Sequence, residues 1–586
     1  MDFDVVVLGT GLAESIAAAA LSKAGFKVAH VDNNQYYGGD EASLTLDELA
    51  QWADARATDS EDKPTSEYLA RQRARYTSIT RSSTLPPQSR QYAVSLAPSI
   101  VPSLGSHIDS LIASGVSRYG SFKLLEKVAI YDRPGYVQSV PGSKEDVFKS
   151  KALSLVEKRR LMRFLMFAAG EFEGKKELEG KEQMPFLQYL RETFTLNDKP
   201  ANAIAYALAF CICANDPTLP ALQRIRQYLR SAGRYGASPF LVGHYGGLGE
   251  TAQGFCRTSA VKGGTYILGR PVSGVKCPSS EANATSTDEK TPVPSARSVH
   301  RVELEEFDES LTARVVLSSS DYLPPTSLPG ATSSSSSSIP DTVYQVARCI
   351  AIIDKPLVFT PTESTDEAPS TATEEPAGEP GEEADQPSTP SYEVDTAVLV
   401  FPPNTLPNAS TTTAAHLLVT GEGSMSAPKG KWILNISLPL LSSASGPSAE
   451  ELLRPYLDAA LTLTAPPSAS SEVQPAEPLF TLFYIHHPAS APSLSDPANA
   501  DSDIIITPSC TTLLPAIADA ATQNAEAMFW KAVRRLKGTR EPQKAVPTDD
   551  EKGEEVEKDG GDSELDGIES FWPPLDVADV ESADDW

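Results

Sequence analysis

Three spacings in this 586-residue chain are of types that could do chemistry. The first is Gly9-Thr10-Gly11, set between an apolar β-branched run, Asp4–Leu8, and a stretch of helix composition, Leu12–Ala24. A second strand, Lys27–Asp32, follows, so that the acid Asp32 stands about twenty residues after the glycines. That is the βαβ plan of a dinucleotide site, with the pyrophosphate at the helix N-terminus and the acid on a ribose. The third glycine position of G-x-G-x-x-G holds Glu14 instead. A carboxylate in the first helical turn takes the favourable field that the phosphate would use. It also repels a phosphate about 5 Å away by roughly 3 kcal/mol at an effective dielectric of ~20. The expectation is a dinucleotide fold that has lost its dinucleotide: Gly9, Gly11, Glu14 and Asp32 are vestigial, and no cofactor is bound. A flavin oxidoreductase stays as the alternative, with Glu14 turned to solvent.

The second spacing is the segment Arg234–Pro271, which holds nine glycines at non-periodic positions. It is therefore not one helix. Between the glycines stand Glu250, Arg257 and the aromatics Tyr235, Phe240, Tyr245, Phe255 and Tyr266. An acid, a directional guanidinium and rigid aromatics are typical anchors of a protein-binding surface. The bland alternative is a glycine-rich connector from helix to strand. The third spacing, Cys211-x-Cys213, has no partner pair at zinc spacing, and no metal site is expected. No G-x-S-x-G, P-loop or metal-spaced histidine cluster is present, and the seven histidines are scattered. The chain reads as a non-catalytic protein.

These residues must be positioned by an α/β fold, a dinucleotide-binding-like βαβ domain with mixed sheets and an inserted helical domain. Ser143 and Asp146 form a capping box that opens a helix. Lys151–Ala169 continues at helical spacing, with Leu155, Val156, Leu161, Met162, Phe164 and Leu165 on one broad apolar face. Phe186–Leu196 and Ala201–Ala214 add two helices, and Arg224–Arg234 is a basic helix end. Residues 143–234 thus form the helical domain. Residues 1–132 and 235–540 form the first, discontinuous domain, with strands at Val302–Phe307, Arg314–Ser318, Tyr344–Ile353, Val394–Phe401, Leu417–Thr420, Trp432–Pro439 and Phe480–Ile485. Asp54–Gln91 reads as loop or insertion, and Glu526–Leu536 as a late amphipathic helix. Polar insertions at 278–298, 324–340 and 361–390 lack the apolar content to offset ordering entropy. So does the acidic tail 541–586, in which Phe571, Trp572 and Trp586 are isolated aromatics.

The formal charge is −28. Glu363–Asp385 holds nine acids and no bases, and Asp549–Asp585 holds sixteen acids and two bases. Those two segments account for 23 of the excess charges, and nucleic-acid binding, which needs clustered Lys and Arg, is disfavoured. Six irregularly spaced cysteines suggest reduced thiols rather than a disulfide framework. No membrane-length apolar run and no signal peptide is read. The expectation is a cytosolic protein with transient, peripheral membrane contact and a nuclear share left open.

Three pieces stand in order in the glycine-rich stretch: RYGASPFL (Arg234–Leu241), YGGLGETAQGFCR (Tyr245–Arg257) and GGTY (Gly263–Tyr266). Together with the βαβ opening they resemble the family of Rab escort proteins and Rab GDP-dissociation inhibitors. The resemblance implies that Tyr37, Glu250, Arg257, Tyr266 and Ile267 contact a GDP-bound Rab GTPase. It implies an effector loop at Arg234, Tyr235, Ser238, Pro239 and Phe240. It places the geranylgeranyl lipid and the Rab geranylgeranyltransferase heterodimer on the helical domain, with Phe148, Leu161, Phe164, Leu165, Arg226, Tyr228 and Arg230 as candidates. Within the family, Cys256 in QGFCR and the long insertions resemble escort proteins, the accessory component of the transferase. The alternative is an inhibitor that recycles prenylated Rabs.

Overall fold

The computed structural model describes residues 1–57, 66–140, 153–276, 299–323, 344–362, 391–441, 446–465, 474–489, 502–537 and 568–573. Phe148, the Ser143–Asp146 box, Trp586 and nearly all of the three polar insertions lie outside them.

The chain opens with β1 (Asp2–Leu8), α1 (Leu12–Lys23) and β2 (Val28–Asp32). Next come α2 (Leu46–Arg56), α3 (Glu67–Arg75), β3 (Tyr76–Arg81), α4 (Ser106–Ser114), β4 (Lys127–Arg133) and β5 (Tyr136–Ser139). Among the described residues, the helices α5 (Leu155–Ala169), α6 (Phe186–Phe194), α7 (Asp198–Asn202) and α8 (Thr218–Ser231) follow. The glycine-rich stretch gives β6 (Phe240–Gly243), α9 (Leu248–Val261) and β7 (Thr265–Leu268). Then come β8 (Val272–Lys276), β9 (His300–Leu304), β10 (Leu311–Ser318) and β11 (Gln345–Ile353). The last elements are β12 (Ala397–Phe401), β13 (Ala415–Thr420), β14 (Trp432–Leu440), α10 (Ala449–Leu461), β15 (Phe480–His486), β16 (Ile504–Ile506) and α11 (Ile517–Lys537).

One mixed sheet runs β7-β2-β1-β10-β9-β8, with β16 also paired to β10. β1 is parallel to both neighbours, with Val5 opposite Val28 on one side and Val315 on the other. Flanked on both edges, it is buried on both faces, which explains an apolar run without alternation. A second sheet of eight strands runs β3-β15-β11-β14-β13-β12-β4-β5. α1, α9 and α11 pack together on one face of the first sheet. The alanines of α1 let α9 come close enough for Ser22 and Ser259 hydroxyls to bond at 2.7 Å.

α5, α6, the segment after α7 and α8 share a core built on Leu161, Phe164, Phe172, Phe186, Tyr189 and Phe194. Among the described residues, its first helix, α5, opens at a capping box of Ser154 and Glu157. Leu155 and Val156, read as part of the apolar face, are 75% and 55% exposed, because they fall in the first turn before the helix reaches its partners. Ala201–Ala214 is not one helix. A π-helical turn, Ala203–Leu208, follows α7. Asp216 then draws the chain out of helix by accepting from the N–H groups of Ile212 (2.8 Å) and Cys213 (3.2 Å).

Asp54–Gln91 is not loop either, since it contributes the end of α2, all of α3 and β3. α3 has no apolar stripe to betray it. It is held by polar side chains: Ser66 caps it, and Gln72 donates to Asp321 at 2.7 Å. Arg75 forms ion pairs with both Asp40 and Asp321. The late helix begins at Ile517 rather than Glu526, its first turns being alanine-rich and buried against α1. The tail also departs from expectation: Ile568–Pro573 is packed on the first domain, and Phe571 is only 8% exposed.

Candidate functional site

The βαβ opening builds a pocket whose contents are carboxylates. Gly9, at φ +98°, turns the chain from β1 toward α1. Thr10 donates to Asp32 Oδ2 from both its backbone N (2.8 Å) and its hydroxyl (2.6 Å). Asp32 Oδ1 accepts from Asn34 N (2.7 Å), Asn34 Nδ2 (2.9 Å) and the Tyr322 hydroxyl (2.8 Å). The acid that would hold a ribose is therefore consumed by five internal donors. Burial raises the Asp32 pKa above the ordinary carboxylate value.

Glu14 does not point to solvent: it is 4% exposed and accepts from the Thr507 hydroxyl at 2.5 Å. It folds back so far that a Cβ on Gly11 would lie 2.5 Å from its carboxyl oxygen. Burial, eased by the Thr507 bond, pushes Glu14 up to about 7. The free N–H at the start of α1 is taken by a group that sequence reasoning missed: Leu12 N donates to Glu41 Oε2 at 3.3 Å. Glu41 comes from the Gly39–Glu41 turn, twenty-nine residues away, and nothing local marks it. Burial, then the charges of Asp40 and Glu14, raise Glu41 strongly. Burial would raise Asp40 too, but Arg75 and His486 overcome it and hold that carboxyl low. The cavity left among these groups measures about 120 Å³, well below the ~300 Å³ lower end of small-molecule sites. Two carboxyls at the helix N-terminus, a spent Asp32 and this volume do not fit a flavin dinucleotide.

α9 carries the second site. Glu250, Gln253 and Arg257 lie at i, i+3 and i+7, on the face turned away from α1. Leu248, Ala252, Phe255, Cys256 and Ser259 form the buried face. Burial raises the half-buried Glu250 carboxyl above its ordinary value. The Arg257 guanidinium lies 4.5 Å from the centre of the half-exposed Tyr119 ring, a residue not singled out in the sequence. The turn bearing Tyr37 abuts the start of α9. Gly38 has φ +103°, and a Cβ there would come within 3.1 Å of Gly249 Cα. The Tyr37 ring meets Tyr266 edge-on at 6.3 Å. Tyr266 bonds His30 Nδ1 at 3.2 Å, and Ile267 is half-buried beside it on β7, the edge strand of the first sheet. The structure thus places Glu250 and Arg257 on the outer face of α9 and the Tyr37 turn at its start. Tyr266 lies against Cys256 and Ser259 on the buried face of that helix. Ile267, in register with Val31, packs on the opposite face of the sheet and is not brought to the others.

Other candidates sit differently. Arg234 donates to Ser103 O at 2.9 Å, and Tyr235 is exposed. Ser238 and Pro239 lead into β6, where Phe240 is buried against Phe210 and Tyr228 and is no exposed loop residue. Tyr228, proposed for a transferase contact, is 1% exposed because it falls on the core side of α8. Arg226 and Arg230 do face outward, but not as bare charge. Arg226 pairs with Glu171 and Glu173 and covers the Phe172 ring at 4.3 Å; Arg230 pairs with Glu171 at 2.7 Å. Leu161, Phe164 and Leu165 are buried in the helical core. Cys256 is buried too, donating from Sγ to Ser15 Oγ at 3.3 Å, so it fills a small slot between α9 and α1.

Fold and pocket define a dinucleotide-type α/β protein whose nucleotide site is closed by its own carboxyls. The chain belongs to the GDP dissociation inhibitor family, whose model matches residues 1–299. It is 34% identical over 270 residues to the Rab proteins geranylgeranyltransferase component A of Candida albicans, covering 45% of this chain and 40% of that protein. It is 37% identical over 292 residues to the Drosophila melanogaster protein of the same name, covering 47% and 54%. It is 29% identical over 448 residues to that of Saccharomyces cerevisiae, covering 76% and 62%. The chain therefore spans about two fifths to three fifths of these relatives. Among solved structures, a Rab GDI from Plasmodium falciparum superposes with TM-score 0.58 at 20% identity, over 92% of this chain and 98% of that one. An oxidoreductase from Methanosarcina mazei superposes with TM-score 0.50 at 14% identity, over 89% and 99%. Both show the shared fold.

Proposed function

We propose that this protein is a Rab escort protein. It binds a newly made Rab GTPase in its GDP form, presents it to Rab geranylgeranyltransferase, shields the attached lipid and delivers the Rab to membrane. The observation that carries the reading is the outward Glu250–Gln253–Arg257 stripe of α9, with the turn that bears Tyr37 packed against the start of that helix. The names of the relatives support the transferase side of it. Glu250, Arg257 and Tyr37 would anchor the GTPase. Arg226 and Arg230, on the outer face of α8, would meet the transferase, and Leu161, Phe164 and Leu165 would line the lipid slot. Burying a C20 chain yields more than ~10 kcal/mol gross at ~0.8 kcal/mol per CH₂, so delivery needs release coupled to a membrane or partner. Cores are close-packed, so the lipid enters only by moving helices apart. The π-helical turn Ala203–Leu208 is an irregular, buried stretch of that core and would be a place for such movement. The protein itself supplies no reacting group, and the work is done in the cytosol with transient membrane contact.

The test is reconstituted prenylation with purified transferase, an unprenylated Rab and labelled geranylgeranyl diphosphate. Lipid transfer is expected only when this protein is present. If it instead extracts prenylated Rab from membranes and never supports transfer, it is a GDP-dissociation inhibitor of recycling type.

A further inference from the structure

The segment Ile568–Pro573 lies against a groove walled by α4, α9 and α11. Its Trp572 ring stacks on Phe255 of α9 at 5.8 Å, and its indole N–H donates to Ser110 Oγ of α4 at 3.0 Å. Phe571 meets Phe529 of α11 edge-on at 5.3 Å. Phe255 belongs to the buried face of α9, so the segment braces that helix from behind, opposite the Glu250–Arg257 stripe. Thirty residues separate it from Lys537, the end of α11. Three apolar side chains, Ile568, Phe571 and Trp572, and one side-chain hydrogen bond hold it, set against the entropy of ordering six residues at the end of a thirty-residue connection.

We propose that this groove is a peptide-binding site for a short aromatic-proline segment flanked by acids, and that residues 568–573 are its tethered, reversibly seated ligand. Seating holds α9 in place, and vacating it loosens α9. Interface physics favours this form of ligand: adjacent Phe and Trp side chains give large contact area at low entropy cost, and the indole N–H supplies direction. The proposal does not rest on the GTPase reading.

The experiment uses the full chain with Phe571→Ala and Trp572→Ala together, and a fluorescent peptide spanning Asp566 to Leu575. In anisotropy titrations the double variant is expected to bind the peptide saturably, with at least tenfold weaker binding by the native chain, whose groove is filled. The same peptide with Trp572→Ala should bind neither. Amide exchange across Leu248–Val261 should quicken in the double variant and slow again when peptide is added. Where the double variant does not fold, Trp572→Ala alone serves for both readouts. No binding to a folded variant, or equal binding by variant and native chain, overturns the site. Exchange in α9 unchanged by either substitution or peptide overturns the bracing.

Discussion

A carboxyl group held inside a protein at neutral pH is a choice between a charge and a proton, and Glu14 and Glu41 make that choice together. Folding lifts Glu14 from 4.5 to about 7, by burial first, and lifts Glu41 in the same direction. The folded chain therefore holds protons that the unfolded chain releases. Its stability is full below the unfolded pKa and falls as pH rises toward 7 and beyond. The Glu14 shift corresponds to something on the order of 3 kcal/mol. Glu14→Gln and Glu41→Gln are expected to raise the melting temperature at pH 8 and to change it little at pH 5. Equal shifts at both pH values would contradict the buried-proton assignment. Asp40, held low by Arg75 and His486 against its burial, acts in the opposite sense and loses its stabilisation only in acid. On the outer site, Arg257→Ala and Tyr37→Ala are expected to weaken GDP-bound Rab binding by roughly 1–3 kcal/mol each, the range of interface anchors. Calorimetric titration with folding checked by circular dichroism decides it; unchanged curves for both would remove the site from α9. Gly9, Gly11, Glu14 and Asp32 were legible because local spacing carries the βαβ signal. Glu41 was not, because its role depends on a turn that only the tertiary fold brings to α1.

At the scale of elements, what the sequence disclosed tracks what holds each element in place. β1, α1, β2 and the late strands were readable since apolar burial writes itself as runs and periodicity. α3 was not, for its contacts are Arg75, Gln72 and Arg71 reaching acids and carbonyls. Ala201–Ala214 misled because composition cannot show that Asp216 will capture two backbone N–H groups. α8 divides cleanly, with Tyr228 turned inward and Arg226 and Arg230 outward. The double substitution Arg226→Ala, Arg230→Ala is expected to slow geranylgeranyl transfer at least several-fold while Rab affinity stays within about twofold. Alanine is preferred to charge reversal here, since a new acid would face Glu171 and Glu173. Loss of Rab binding along with transfer would place both partners on one surface instead of two.

For the molecule as a whole, the 363–390 stretch interrupts two strands that already pair. Leu357 stands opposite Val394, and Phe359 opposite Tyr392. Pro361 and Thr362, by contrast, are engaged, Thr362 bonding Asp132 at 3.0 Å. Removing 363–390 would leave a short hairpin loop, and loop-closure entropy changes slowly with length. The melting temperature is expected to stay within a few degrees, read by calorimetry; a large fall would mean that the stretch is structural. A longer-range connection sets a different demand. β1, made from the first residues, lies between β2 and β10, and α1 is covered by α9 and α11. The ribosome releases β1 and α1 long before Leu311–Ser318 and Ile517–Lys537 exist. At ~5–20 residues per second, the wait for α11 is roughly half a minute to two minutes. Throughout it, an apolar strand and an alanine-rich helix wait for the elements that cover them, so chaperone engagement of the nascent chain is expected before it can serve any partner of its own.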